Sequence, residues 1–140
     1  MAKRQLIVDS SVAVKWVNGN DEKNLDQADK IIADLEANKL ELVAPELAKF
    51  ELGNALLNKK ISPEGTKASL ASYYGIPISF ISWDQNLAED TMDMAFENKI
   101  TYYDASFMVL AKKFGATLVT DNPKHQKQVA GVKVVSLKDY

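Results

Sequence analysis

Residues 4–16, RQLIVDSSVAVKW, decide the fold. Leu6, Ile7 and Val8 form a short, unbroken apolar run that suits a strand of a parallel sheet covered on both faces. Asp9 follows at once, then two hydroxyls, Ser10 and Ser11, and residues 11–17 predict a short helix. A buried strand thus delivers a carboxylate to its own C-terminal end, the edge of an open α/β sheet where ligands bind.

Outward from this stretch, strand and helix patterns alternate. Residues 21–38 have helical apolar spacing, with Leu25, Ala28, Ile31, Ile32 and Leu35 between polar ends. ELVAP reads as a short strand stopped by Pro45, and Pro45 suits the first turn of a helix over 45–60. Ser62 and Pro63 in ISPEG are an N-cap and first helical residue for a helix running to about residue 74. IPISFISW is a strand, Asp84 caps a helix to about residue 98, and residues 103–114 form a helix closed by Gly115. ATLVT is a core strand and VKVVSL a final one. Such alternation predicts a three-layer α/β/α sandwich with a mainly parallel central sheet. Without an internal repeat or a Pro/Gly-rich linker, residues 1–140 read as a single domain.

Composition narrows the chemistry. With no cysteine, disulfides and thiolate-bound zinc are excluded, and a reducing cytoplasm is the expected home. No apolar stretch is long enough to span a bilayer, and the run behind Lys3 and Arg4 is too short for a secretion signal. A net charge of −2 argues against gripping nucleic acid through bulk charge. The one histidine, His125, has no orienting partner nearby in Pro123–Gln126–Lys127, so a serine–histidine mechanism is not expected.

Three further acids stand in unusual places. Asp121 follows a core strand and Thr120, as Asp9 follows the first, although Asp121-Asn122-Pro123 also reads as a simple turn. Glu51 shares a helical stripe with Leu47, Ala48, Asn54 and Ala55 rather than with the lysines, which places Asn54 beside it. Asp104 opens a helix in line with Phe107, Met108 and Ala111, and with Thr101 it also fits a capping box.

If the four acids converge, electrostatics dictates what they hold. Two carboxylates about 4 Å apart repel by roughly 4 kcal/mol at an effective dielectric near 20, so four must take up protons or cations. Hard oxygen donors without His or Cys favour Mg²⁺ or Mn²⁺. Such ions bind phosphate, lower the pKa of an attacking water and stabilise a leaving oxygen, the equipment for phosphodiester chemistry. Ser10 or Ser11 can then hydrogen-bond a ligand, water or phosphate beside Asp9.

The chain strongly resembles the PIN-domain family, and within it the VapC-type toxins of prokaryotic toxin–antitoxin pairs. The resemblance is carried by IVDSSVAVKW, APELAKFELGNALL, ISPEG, IPISFISWDQNLAEDTMDMA and TYYDASFMVLAKKFGATLVT, which cover nearly the whole chain in the family's order. It implies an α/β/α fold, Mg²⁺- or Mn²⁺-dependent endoribonuclease activity, a homodimer, and inhibition by a small antitoxin that thrusts an arginine or other side chain into the site. It places the family's acidic quartet on Asp9, Glu51, Asp104 and the acid after the last core strand. The family often reads Thr-x-Asp there, whereas this chain reads Thr120-Asp121-Asn122. We take Asp121 as the fourth ligand, with Asn122 as the alternative. Asn122 could offer a neutral oxygen but no charge.

On this reading the acids hold one or two ions, an activated water attacks the RNA phosphodiester in line, and Thr120 or Ser10 orients the phosphate. Lys15, Lys49, Lys112, Lys113, Lys124 and Lys127 are candidates for a basic rim that grips single-stranded or loop RNA. Two rivals stand beside it. One is a catalytically weak PIN-like module that binds RNA or protein without cutting. The other is a phospho-acceptor receiver domain using Lys124, which leaves Glu51 and Asp104 unexplained. Tyr73, Tyr74, Phe80 and Trp83 suit a dimer surface or the core equally well.

Overall fold

The central strand of the sheet is the first one in sequence. A computed structural model of the chain describes residues 3–122 and 129–140; Pro123, Lys124, His125, Gln126 and Lys127 lie outside them. Among the described residues, strands β1 (Arg4–Val8), β2 (Leu40–Pro45), β3 (Ile78–Ile81), β4 (Thr117–Thr120) and β5 (Lys133–Ser136) form one sheet in the order β3-β2-β1-β4-β5. Every pairing is parallel, with Leu6 opposite Leu42 on one side and Thr117 on the other. A receiver domain needs the strand order 2-1-3-4-5. The observed order removes that rival.

Parallel strands need crossovers, and helices supply them. Helices α1 (Ser10–Val17) and α2 (Leu25–Glu36) join β1 to β2, and α3 (Leu47–Asn58) and α4 (Pro63–Tyr74) join β2 to β3. Helices α5 (Gln85–Asn98) and α6 (Tyr102–Phe114) join β3 to β4. Because successive strand residues point to opposite faces, the sheet feeds two separate cores. Leu6, Val8, Leu42 and Val119 pack with Val12, Ile31, Leu52, Leu56 and Tyr73 from α1 to α4. Ile7, Val43 and Leu118 pack on the other face with Leu87 and Met94 of α5 and Phe107 to Ala111 of α6. The result is the expected α/β/α sandwich.

The local stop and start signals act as their chemistry dictates. The Ser62 hydroxyl accepts the Gly65 N–H at 3.0 Å, with Pro63 opening α4, and Asp84 accepts the Leu87 N–H at 2.8 Å to cap α5. Gly115 ends α6 in the left-handed conformation, φ 61°, where a side chain would be strained. Pro45 departs from expectation. It is the last residue of β2, opposite Ile81, and α3 begins only at Leu47. Its missing N–H is tolerated where the ladder ends. Tyr73 is core, edge-on to Phe80 at 6.0 Å, whereas Tyr74 is exposed. Among the described residues, no helix is long and apolar enough to cross a membrane.

Candidate metal centre at the carboxyl edge

The strand order reverses between β1 and β4, and at such a switch point the crossovers diverge to leave a crevice. Asp9 stands there. It leaves β1 in extended conformation, φ −86° and ψ 179°, and caps α1 by accepting the Ser11 N–H at 3.1 Å. The same oxygen accepts the Ser11 hydroxyl, while its second oxygen accepts the Thr120 hydroxyl at 2.5 Å. Thr120 is fully buried at the end of β4 and accepts the Asn122 N–H at 3.1 Å. Ser11 Oγ accepts the Asp121 N–H at 2.9 Å. Two hydroxyls therefore lock the end of β1 to the chain leaving β4, with Asp9 only 8% exposed between them.

Glu51 reaches this crevice from α3 and Asp104 from the first turn of α6, whose N-cap Thr101 accepts the Asp104 N–H at 3.0 Å. Asp9, Ser10, Ser11, Glu51, Asp104 and Asn122 surround one cavity of ≈170 Å³. A neighbouring groove of ≈550 Å³ shares Glu51 and Asp104 and adds Asn54 and Thr101 to its walls. Burial, reinforced by the Asp9 and Asp104 charges, pushes the Glu51 carboxyl up to about 7. A cation would relieve that penalty, and the donors are hard oxygens suited to Mg²⁺ or Mn²⁺. Among the described residues, no three acids stand close enough to form a ready-made coordination group. An ion bound here would require these donors to draw together.

Asp121 goes elsewhere. Its carboxylate pairs with Lys15 Nζ at 3.0 Å and accepts from Asn24 Nδ2 at 3.0 Å, so Asn122, not Asp121, lines the acid cavity. Lys15 is not a rim residue. Its side chain is 1% exposed, and it also binds Glu22 Oε1 at 2.9 Å and the Lys23 carbonyl at 2.7 Å. Glu22 in turn holds Lys59 at 2.5 Å. Burial pushes Glu22 up, but Lys59 and Lys15 together outweigh it and leave its carboxyl below the usual range. Asn24, left-handed at φ 57°, starts α2 without capping it, since its side chain is turned to Asp121. The sequence does carry a signal for this cluster, a lysine inside the apolar run Val12–Val17.

The other lysines proposed for a rim are also occupied or distant. Lys49 pairs with Glu46 at 3.1 Å and lies over the Phe80 ring at 4.4 Å. Lys112 and Lys113 line a separate cavity with Asp90, Asp93 and Glu97. Lys124 and Lys127 fall outside the described residues.

Comparison with solved structures finds this architecture in several protein complexes. The chain superposes on VapBC2 from Rickettsia felis, bound to a DNA fragment from its promoter, with TM-score 0.72 and 16% identity, covering 94% of this chain and 98% of that one. DNA-bound VapBC from Salmonella typhimurium gives 0.70 and 15%, covering 96% and 98%. VapC20 from Mycobacterium tuberculosis, a sarcin-ricin loop cleaving toxin, gives 0.61 and 17%, covering 83% and 87%. These likenesses are of fold. No curated protein sequence matches the chain. The PIN-domain family model matches residues 6–132, which take in strands β1 (from Leu6) to β4 and all six helices, and the chain belongs to the PIN-domain family.

Proposed function

We propose that the chain is a divalent-metal-dependent endoribonuclease of the VapC type, acting in the cytoplasm as a single domain, homodimeric, and held in check by a small antitoxin. The observation that carries this reading is the convergence of Asp9, Glu51 and Asp104 on one cavity at the strand-order reversal. Asp9, Glu51 and Asp104 would hold Mg²⁺ or Mn²⁺, with the Asn122 side chain completing the set. When bound, such an ion neutralises phosphate charge and activates water toward the phosphodiester. Thr120 and Ser11 hold the Asp9 carboxylate in one orientation at the cavity wall. Ser10, on the cavity wall, is placed to hydrogen-bond phosphate or water. A cationic side chain from an antitoxin would satisfy the same three carboxylates and compete with the ion.

A catalytically weak binding module is the second reading. It is favoured by the engagement of Asp121 with Lys15, which leaves a neutral amide where a fourth charge would strengthen ion binding. One experiment separates the two. A panel of structured RNAs is incubated with Mg²⁺, Mn²⁺ or EDTA, using wild type, Asp9→Asn and Asp104→Asn. Metal-dependent cuts lost in both variants are the expected result. Absence of both divalent-ion binding and cleavage in wild type would assign the chain to the binding module.

A further inference from the structure

The carboxyl ends of four strands stand in the order β3, β2, β1, β4, and the acid cavity occupies the β1–β4 end. Beyond β2 and β3 lies a mostly apolar pocket of ≈140 Å³ walled by Pro45, Leu47, Trp83, Tyr102 and Tyr103, with Glu46 and Ser106 also on its wall. The ≈550 Å³ groove joins the two. It shares Glu51 and Asp104 with the acid cavity, and Leu47 and Tyr103 with the apolar pocket.

We propose that this pocket and the groove leading to it form a nucleobase subsite, taking one base of a strand whose backbone lies over the acids. The inference rests on the ribonuclease reading above.

Size, lining and charge select the occupant. The pocket's ≈140 Å³ matches the space that accommodates a single six-membered aromatic ring. Tyr103 is 62% exposed and Phe50, on the groove, 74% exposed, so both rings are offered to solvent at the approach. Exposed aromatic rings are the platforms on which single-stranded bases stack. Among the described residues, no lysine or arginine lines the groove or the pocket; Glu46 on the pocket wall pairs with Lys49 at 3.1 Å, and Glu51 and Asp104 stand at the junction. That field disfavours a phosphate in the pocket and leaves an uncharged ring as the better guest. Trp83 adds a buried indole N–H with no acceptor among the described residues.

The test is titration of the metal-free protein in EDTA with adenosine, guanosine, cytidine and uridine, following the indole N–H resonances by NMR. The chain has two tryptophans, and Trp83→Phe assigns the signal. A saturable shift of the Trp83 signal with at least one nucleoside is expected. Tyr103→Ala should weaken that binding on the order of five- to a hundredfold, the range for one lost base–aromatic stack, and Tyr103→Phe should restore it. A Trp83 signal unmoved by all four nucleosides, or binding untouched by Tyr103→Ala, overturns the subsite. So does a response to leucinamide alone, which would assign the pocket to a protein partner. Nucleosides carry no phosphate and EDTA removes metal, so a wild type that neither binds divalent ions nor cuts the RNA panel would refute the ribonuclease reading without deciding this one.

Discussion

Lys15 Nζ and Asp121 Oδ2 lie 3.0 Å apart, joining the middle of α1 to the residue that follows β4. Through Asp121 the pair stands next in the chain to Asn122, which lines the acid cavity. Asp121 is held back by it, and the backbone is carried forward so that Asn122 reaches the cavity wall.

Removing the lysine should therefore be costly. Lys15→Met leaves Glu22 and Asp121 facing each other without their shared cation, and a broken buried pair costs about 3–5 kcal/mol. Urea denaturation should show a larger loss for Lys15→Met than for Asp121→Asn, whose carboxylate is 24% exposed and whose partner keeps Glu22. Equal losses would mean that Asp121 alone anchors the lysine.

The acids should divide into two classes in a cleavage assay. Asp9→Asn and Asp104→Asn should lose more than the roughly 10–100-fold typical of removing a partner that merely orients a ligand. Asp121→Asn should stay within about tenfold of wild type at saturating Mg²⁺. A loss at Asp121 as deep as that at Asp9 would return it to the ion-binding set.

Glu51 makes stability depend on pH. Its carboxyl titrates at about 7 in the folded chain, against 4.5 for the ordinary group, so the folded state binds more protons between those values. Stability from this group is complete below about pH 4.5 and is lost as pH rises through about 7. Glu51→Gln should then match wild type near pH 5 and exceed it by about 1–3 kcal/mol near pH 8, in EDTA. Denaturant melts at the two pH values decide this, and a variant weaker at both would contradict it.

Thr120→Val tests the hydroxyl lock with almost no change of shape. Asp9 Oδ2 loses its donor and the Asn122 N–H its acceptor, at about 1–3 kcal/mol. Affinity for Mg²⁺ or Mn²⁺, measured by calorimetry, should fall roughly 10–100-fold. Lost stability with unchanged ion affinity would confine Thr120 to a structural part.

What could be read from the sequence was whatever leaves a local trace. Leu6–Val8 and residues 117–120 announced buried parallel strands because apolar residues serve both faces. Ser62, Asp84, Thr101 and Gly115 announced helix ends because capping needs particular side chains or left-handed backbone within a few residues. Glu51 and Asp104 stood out because each broke an apolar stripe. Pro45 misled because a proline that ends a strand and one that opens a helix look alike locally. Lys15 misled more seriously. Its place inside the apolar run Val12–Val17 signalled burial, but its pairing with Asp121 spans most of the chain and leaves no local trace. The aromatic approach to the acids was equally hidden, since Phe50 and Tyr103 come from different helices and meet only in the groove.

Because β1 is flanked by β2 and β4, a strand that ends at Val8 waits for one that begins only at Thr117. At about 5–20 residues per second, a ribosome needs roughly 5–25 s to travel from Asp9 to Asn122. Until then Asp9 lacks Thr120, and the cavity lacks one wall. Nascent chains thus carry Asp9, Glu51 and Asp104 without the finished cavity until Asn122 has been made, so whatever this cavity binds cannot be bound while that stretch is still being translated.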